Sequence, residues 1–432
     1  MRNTGHRILA EGQTISNDTW ATQLNNSDIV IGPSGSGKTR GYVKPNILQC
    51  NESMLITDTK GSLRQKVGPV LEWHGYDVLE IDLADCLASP WGYNPLDYVR
   101  YDPQRGAYHE QDIMTVAAAI VPDEPYNHDP YWHRAARMLL ESLIAYTLEC
   151  LPDDEHSPTT LVRLFQALND GLYARLISEL GEIDPDSFSV ARYRMCASCH
   201  QAERMWASVL GILAEKLSVL SFHGARAIFA NPRQVDFHRM GERRTAIFLT
   251  ISDTDRSLDR LAALFYTQAL HVLTDMAGHS PGHRLAVPVR FILDDFAAGA
   301  RIEDFDGITS VIRSREISVS IILQSLSQLE SLYGHARALT ILNNCDHCLY
   351  LGGQDVETAA FIGKKANRPT SDILNMPLDN AWLFTRGAAP RQVTKYRLEN
   401  HPCYRESPES RRTIRHEEHP EADALESAEI VA

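Results

Sequence analysis

Apolar residues follow two patterns that alternate along this chain. Short unbroken apolar runs predict buried strands at Asp28 to Ile31, Ser53 to Thr57 and Val78 to Ile81, with a helix carrying Leu63, Val67, Val70 and Leu71 between the last two. Strand, helix, strand at this spacing implies a parallel sheet with crossover helices, in which ligands sit at the carboxyl ends of the strands. From Tyr131 to about Phe222 the period turns helical. Ala135, Met138, Leu139, Ser142, Leu143 and Tyr146 share one stripe; Met205, Val209, Ile212, Leu213 and Leu220 share another, interrupted by Lys216. Strands return at Thr245 to Ile251, Val289 to Leu293, Ile317 to Leu323, Cys348 to Leu351, Ala381 to Phe384 and Gln392 to Tyr396, with helices expected over Arg260 to Met276 and Ile302 to Arg313. The polar stretch from Arg7 to Asn26 predicts one or two short strands and a loop. The expected fold is therefore an α/β domain built from residues 1–121 and 223–400, with an all-α domain inserted at 122–222 and an acidic, disordered tail over 401–432.

Composition sharpens these boundaries. Proline, aspartate and tyrosine crowd the stretch from Pro90 to Tyr131, and residues 417–432 carry six acids and no lysine or arginine, which predicts a disordered acidic end. At 432 residues and 44% apolar composition the chain can bury a substantial core. No run approaches the roughly 18 apolar residues of a membrane span, and Met1 to Ala10 lacks the apolar centre of a signal peptide, so a cytoplasmic protein with no direct membrane span is expected. Eight cysteines in such a chain point to reduced thiols rather than a disulfide framework. The net charge of −14 argues against a broadly basic, DNA-coating surface but leaves room for a locally basic pore or groove.

Chemistry enters directly after the first core strand. Gly32, Pro33, Ser34, Gly35, Ser36, Gly37, Lys38 and Thr39 satisfy the Walker A pattern G-x-x-x-x-G-K-[ST], in the strand-to-helix context that the loop requires. Its glycines let backbone N–H groups form an anion nest, Lys38 reaches the β- and γ-phosphates of ATP, and Thr39 can ligate Mg2+. Pro45, seven residues beyond Lys38, must leave the following helix short or kinked. Asp58 and Lys60 follow the second strand at the same sheet edge; they serve either the nucleotide's surroundings or an ordinary turn.

Phe291-Ile-Leu-Asp294-Asp295 has the form of a Walker B strand, with Asp294 placed to hold Mg2+ and Asp295 to orient or deprotonate the attacking water. Gln324, at the end of the Ile317 to Leu323 strand, is placed either to sense the γ-phosphate or to cap the next helix. Arg313 and Arg315 precede that strand. Either can act across a subunit interface on a transition state, or pair with surface carboxylates. Cys196-Ala-Ser-Cys199 and Cys345-Asp-His-Cys348 have thiolate-zinc spacing, with His200 completing C-x-x-C-H. Their placement in a helical region and an apolar strand favours plain buried thiols.

Together these motifs resemble the coupling ATPases of conjugative type IV secretion. The carriers are Gly32 to Thr39 with Pro45-Asn46, Thr57-Asp-Thr-Lys-Gly61 with Gly75-Tyr76 and Asn94-Pro95, Asp129-Pro-Tyr-Trp132, Leu293-Asp-Asp-Phe-Ala297, and Ile322-Leu-Gln-Ser-Leu-Ser-Gln-Leu-Glu330 with Tyr333-Gly334. The resemblance implies a RecA-like P-loop NTPase domain with an inserted all-α domain, a homo-oligomer that closes as a hexamer, and an ATP-driven motor. Such a motor recruits relaxase-bound single-stranded DNA and delivers it to the proteins of a type IV secretion channel. Two departures stand out. Members usually carry an N-terminal membrane anchor and none is read in this sequence, so either recruitment to the inner face of the membrane through partners or a soluble member of the family is expected. Many members also have glutamate where Asp295 stands, which leaves open a non-hydrolysing adaptor for the relaxase complex; a motor for protein substrates only is a separate alternative. Lys364, Lys365 and Arg368 are candidates for phosphate contacts to DNA, or are simply solvated.

Overall fold

The computed structural model of the chain describes residues 5–122, 130–197, 203–296 and 301–410. Asp129, Cys199, His200, Ala297 and the acidic run 417–432, all singled out above, lie outside these residues. The chain divides into two compact units, one of residues 1–80, 236–253 and 270–432 and one of residues 81–235 and 254–269.

The first unit is built on a nine-stranded sheet. Its strands, numbered along the chain, are β1 (Asp28–Ile31), β2 (Ser53–Asp58), β3 (Asp77–Asp82), β4 (Thr245–Thr250), β5 (Val289–Leu293), β6 (Ile317–Leu323), β7 (His347–Tyr350), β8 (Asn380–Thr385) and β9 (Arg391–Thr394). Their order across the sheet is β9-β8-β7-β1-β6-β5-β2-β4-β3. β1 pairs in parallel with β6 and β7, β5 with β6 and β2, and β2 with β4, whereas β8 and β9 close one side as an antiparallel pair. Strands covered on both faces read as continuous apolar runs rather than alternations. Accordingly every residue of β1, β2, β4, β5, β6 and β7 is buried.

Val30, Ile56, Phe248, Ile292, Ile322 and Leu349 form one core with Tyr42, Val43, Ile47, Val67, Val70 and Leu71 of the flanking helices. Each such side chain contributes about 1.5–3 kcal/mol on burial. The helix after the Walker A loop is broken as Pro45 requires: a wide turn over Thr39–Val43, in which Lys44 N–H reaches the Thr39 carbonyl, precedes a short helix Lys44–Leu48.

The amino-terminal edge of the central strands is tied by buried charge. Arg7, in a hairpin strand His6–Ala10, places Nε 2.8 Å from Asp28 Oδ2. Arg290 of β5 lies between Asp28 and Glu52, bonding Glu52 and donating to Ser320 Oγ at 3.1 Å. Tyr42 donates its hydroxyl to Asp28 at 2.5 Å. Burial pushes the Asp28 carboxyl up, but Arg7 foremost, with Arg290, pulls it below its ordinary value.

Residues 401–410 correct the expectation of a disordered tail from 401 onward. Tyr404 is buried in the first unit's core, and Glu409 pairs with Lys44 and, at 2.7 Å, with Arg40. An apolar anchor and an ion pair hold this stretch despite its polar composition.

In the second unit the helix Pro130–Cys150 packs against Glu110–Ile120, Pro158–Asn169, Phe188–Ala197 and Glu203–Ser218. Its stripe is core: Ala135, Leu139, Ser142 and Leu143 are fully buried, and Ser142 bonds the Tyr173 hydroxyl at 2.9 Å. Lys216, the exception in the other stripe, is buried and pairs with Glu215 at 2.9 Å. The unit is wider than the 122–222 segment picked out by helical periodicity, because Glu110–Ile120 buries its apolar face against the helix that follows the Pro-rich stretch. Among the described residues no single helix is long and apolar enough to cross a membrane.

Candidate active site

Parallel register brings the chemistry to one edge. Ile31 lies opposite Leu323, and Leu293 opposite Ile321, so the Walker A loop, Gln324 and Asp294 leave their strands side by side. The loop has little freedom. Gly32 donates its N–H to the Leu323 carbonyl at 3.0 Å, and a Cβ on Gly32 would meet Ser36 Oγ at 2.5 Å. Gly37 takes φ +92°, which only glycine adopts cheaply.

Lys38 is 7% exposed and folds back over its own loop, donating to the carbonyls of Gly32 at 2.7 Å and Pro33 at 3.0 Å. Burial lowers its pKa; Asp295 and Asp294 oppose that shift and Lys60 adds to it. Lys60 thus lies within electrostatic reach of the loop. Asp58 instead takes the structural alternative: its carboxylate accepts from the N–H groups of Lys60, Leu63 and Arg64 at the start of the helix Leu63–Trp73.

Thr39 Oγ1 donates to Asp294 Oδ2 at 3.0 Å, joining residues 255 apart in sequence. Burial first, then the Asp295 carboxylate, pushes the Asp294 carboxyl up to about 6, against the Thr39 hydrogen bond and Lys38. A hydroxyl and a buried carboxylate short of positive charge are hard oxygen donors that suit Mg2+. Ser36 Oγ is buried without a hydrogen-bond partner among the described residues, an orphan donor inside an anion-binding loop. These residues fit a metal-nucleotide pair.

Asp295 sits in the left-handed region at φ +49°, a conformation that aspartate tolerates better than most residues. Gln324 Nε2 points to Asp295 Oδ1 across a long 3.5 Å contact. Among the described residues no side chain caps the helix Leu326–Tyr333, and the Gln324 backbone N–H is held by Gln328 at 2.9 Å. Arg313 and Arg315 stand apart from Lys38, at the amino-terminal end of β6. Arg313 reaches the Thr19 carbonyl at 3.4 Å and Arg315 the Val311 carbonyl at 2.6 Å. Lys365 is spent on the Phe384 ring, 5.1 Å from its centroid, while Lys364 and Arg368 line a separate cavity of about 320 Å3. Cys345 and Cys348 are buried, and burial pushes the Cys348 thiol up to about 11.

Sequence reasoning missed two features. A cleft of about 530 Å3 opens beside the loop, with Pro33, Gly353, Met376, Asp379 and Tyr396 among its walls. Lys395, one residue past β9, donates to the Ser36 carbonyl at 3.0 Å. No local signal marks that lysine, because a hairpin some 360 residues downstream delivers it to the loop.

Asp294→Asn is expected to stabilise the nucleotide-free chain by about 1–3 kcal/mol at neutral pH. A carboxyl whose folded pKa is raised costs stability once it ionises. The gain is therefore full above about pH 6 and disappears as pH falls toward the ordinary value of 3.8. Urea unfolding of both chains at pH 7.5 and pH 4 measures it.

The family model for type IV secretory system conjugative DNA transfer matches residues 5–395. Conjugal transfer protein TraG of Escherichia coli is 24% identical over 372 residues, covering 79% of this chain and 55% of that protein. Protein VirD4 of Agrobacterium fabrum is 23% identical over 370 residues, covering 82% and 52%. The chain thus spans about half the length of the curated relatives it matches. Among solved structures, the conjugative coupling protein TrwBdeltaN70 superposes with a TM-score of 0.68 at 17% identity, covering 91% of this chain and 89% of that one. TrwB in complex with ADP and Mg2+ gives 0.63 at 17% identity, covering 86% and 85%. The shared fold is RecA-like α/β with a helical domain.

Proposed function

The chain belongs to the type IV secretory system conjugative DNA transfer family, and on that premise we propose that it is an ATP-driven coupling motor that recruits relaxase-bound single-stranded DNA to a secretion channel. The observation that carries the reading is the 3.0 Å approach of Thr39 to Asp294 at the mouth of the Walker A loop, which gathers phosphate and metal ligands at one point. The capture of TrwB with ADP and Mg2+ supports the same chemistry.

In this reading Lys38 releases the Gly32 and Pro33 carbonyls to pair with the β- and γ-phosphates. Thr39 and Asp294 would hold Mg2+, which would supply positive charge against the phosphate oxygens. Asp295 orients or deprotonates the attacking water, and Gln324, beside it, couples the γ-phosphate's state to the helix Leu326–Tyr333. The cleft beside the loop takes the base and ribose. Oligomerisation, as a hexamer, places Arg313 or Arg315 at a neighbour's site, and DNA is held through its phosphates in the ring channel, with Lys364 and Arg368 as candidates.

Steady-state ATP hydrolysis with and without single-stranded DNA, at low and moderate salt, tests the proposal. DNA-stimulated turnover that weakens with salt is the expected result. Nucleotide binding without turnover would favour the adaptor, to which the shorter Asp295 side chain and its 3.5 Å contact lend an observation. Turnover indifferent to DNA would favour a motor for proteins.

A further inference from the structure

Away from the Walker A loop, the stretch that follows β9 returns across the first unit and ends in the short helical turn Pro402–Glu406. Cys403 and Glu406 are three residues apart on this turn. In a 3-10 turn such residues eclipse one another and present their side chains on one side. Facing them is His74, the residue that closes the helix Leu63–Trp73 and donates its N–H to the Val70 carbonyl at 3.0 Å. His74 Nε2 lies 3.0 Å from Glu406 Oε2, and this nitrogen, the Cys403 sulfur and a Glu406 carboxylate oxygen all lie within 4.8 Å of one another.

We propose that His74, Cys403 and Glu406 form a zinc site that clamps the 401–410 strap to the end of the helix Leu63–Trp73. Three different donor types from two distant segments converge here, which distinguishes the group from a solvated acidic cluster. Zinc bond lengths of about 2.0–2.3 Å place tetrahedral donors about 3.3–3.7 Å apart, within the span these atoms already occupy. Thiolate and imidazole together select zinc over the hard cations Mg2+ and Ca2+. Three protein ligands leave the fourth position to water. Zinc takes cysteine as the thiolate, so binding the ion releases the thiol proton to solvent.

Cys50, whose thiol burial pushes up to about 12 with Cys403 nearby, is outside the three-donor group and serves as an internal control. The strap also carries Glu409, which holds Arg40, the residue after Thr39, and Lys44, one turn further on. A clamp at 403–406 therefore stiffens the support behind the Walker A loop.

The test uses the full chain, stripped with chelator under a thiol-free reductant and titrated with Co2+ and then Zn2+. A saturable thiolate-to-cobalt charge-transfer band is expected at one equivalent per chain, displaced by Zn2+, lost in Cys403→Ser and His74→Gln, and retained in Cys50→Ser. Zn2+ should raise the urea midpoint of the native chain while leaving Cys403→Ser and His74→Gln at the midpoint they show in chelator. Absence of the band at excess Co2+, or a band that survives Cys403→Ser, would overturn the assignment.

Discussion

ATP turnover in the Lys38→Ala chain is expected to fall by at least about 10²–10³-fold, the scale of losing one preorganised electrostatic donor to a transition state. The structure explains why no neighbour substitutes. Lys38 is the loop's own cation, buried to 7% exposure against two carbonyls, which the proposed role has it leave for the phosphates. Lys395 is bound to the Ser36 carbonyl, and Lys60, although its charge reaches Lys38, is not a residue of the loop. Removing the ammonium also strips two carbonyls of their donor, a cost of about 1–3 kcal/mol where they stay dry. Phosphate release and fluorescent-nucleotide binding, with a urea melt as folding control, separate the two effects. Turnover within a few-fold of the native chain would show that this loop is not the catalytic one.

The Arg290→Met chain is expected to lose about 3–5 kcal/mol of stability, the cost of breaking a buried ion pair from one side. Arg290 is 1% exposed and bonds Glu52, the Asn26 carbonyl at 3.0 Å and Ser320, with Asp28 Oδ2 at 3.4 Å. Without it Glu52 loses its partner, while Asp28 keeps Arg7. Methionine fills much of the volume, so the loss measures uncompensated charge more than a cavity. Adding Glu52→Gln should recover a large part of it, because the remaining amide needs no counter-charge. Urea midpoints of the native, single and double variants at pH 7.5 measure the coupling. Equal midpoints for native and single variant would mean that water already satisfies the carboxylates.

Local physics wrote several features directly into the sequence. Apolar runs marked the central strands because each is buried on both faces, Pro45 dictated the broken helix, and the glycines of the Walker A loop announced a backbone shape that other residues resist. Side-chain type also identified Asp294, Asp295 and Gln324 as candidates. What periodicity could not supply was neighbourhood. Strand order places β6 between β1 and β5, which brings Thr39 to 3.0 Å from Asp294, and the β7-β8-β9 run on the other side of β1 carries Lys395 to Ser36. Asp58, by contrast, is settled locally, by the N–H groups of Leu63 and Arg64 five and six residues on. The 401–410 strap, polar in composition, is held by Tyr404 and the Glu409 pairs, contacts with residues more than 300 positions away. A residue's own preferences act over a few neighbours and are legible in sequence; pairings across hundreds of residues are chosen by the burial and charge satisfaction of the whole sheet, which only the tertiary structure decides.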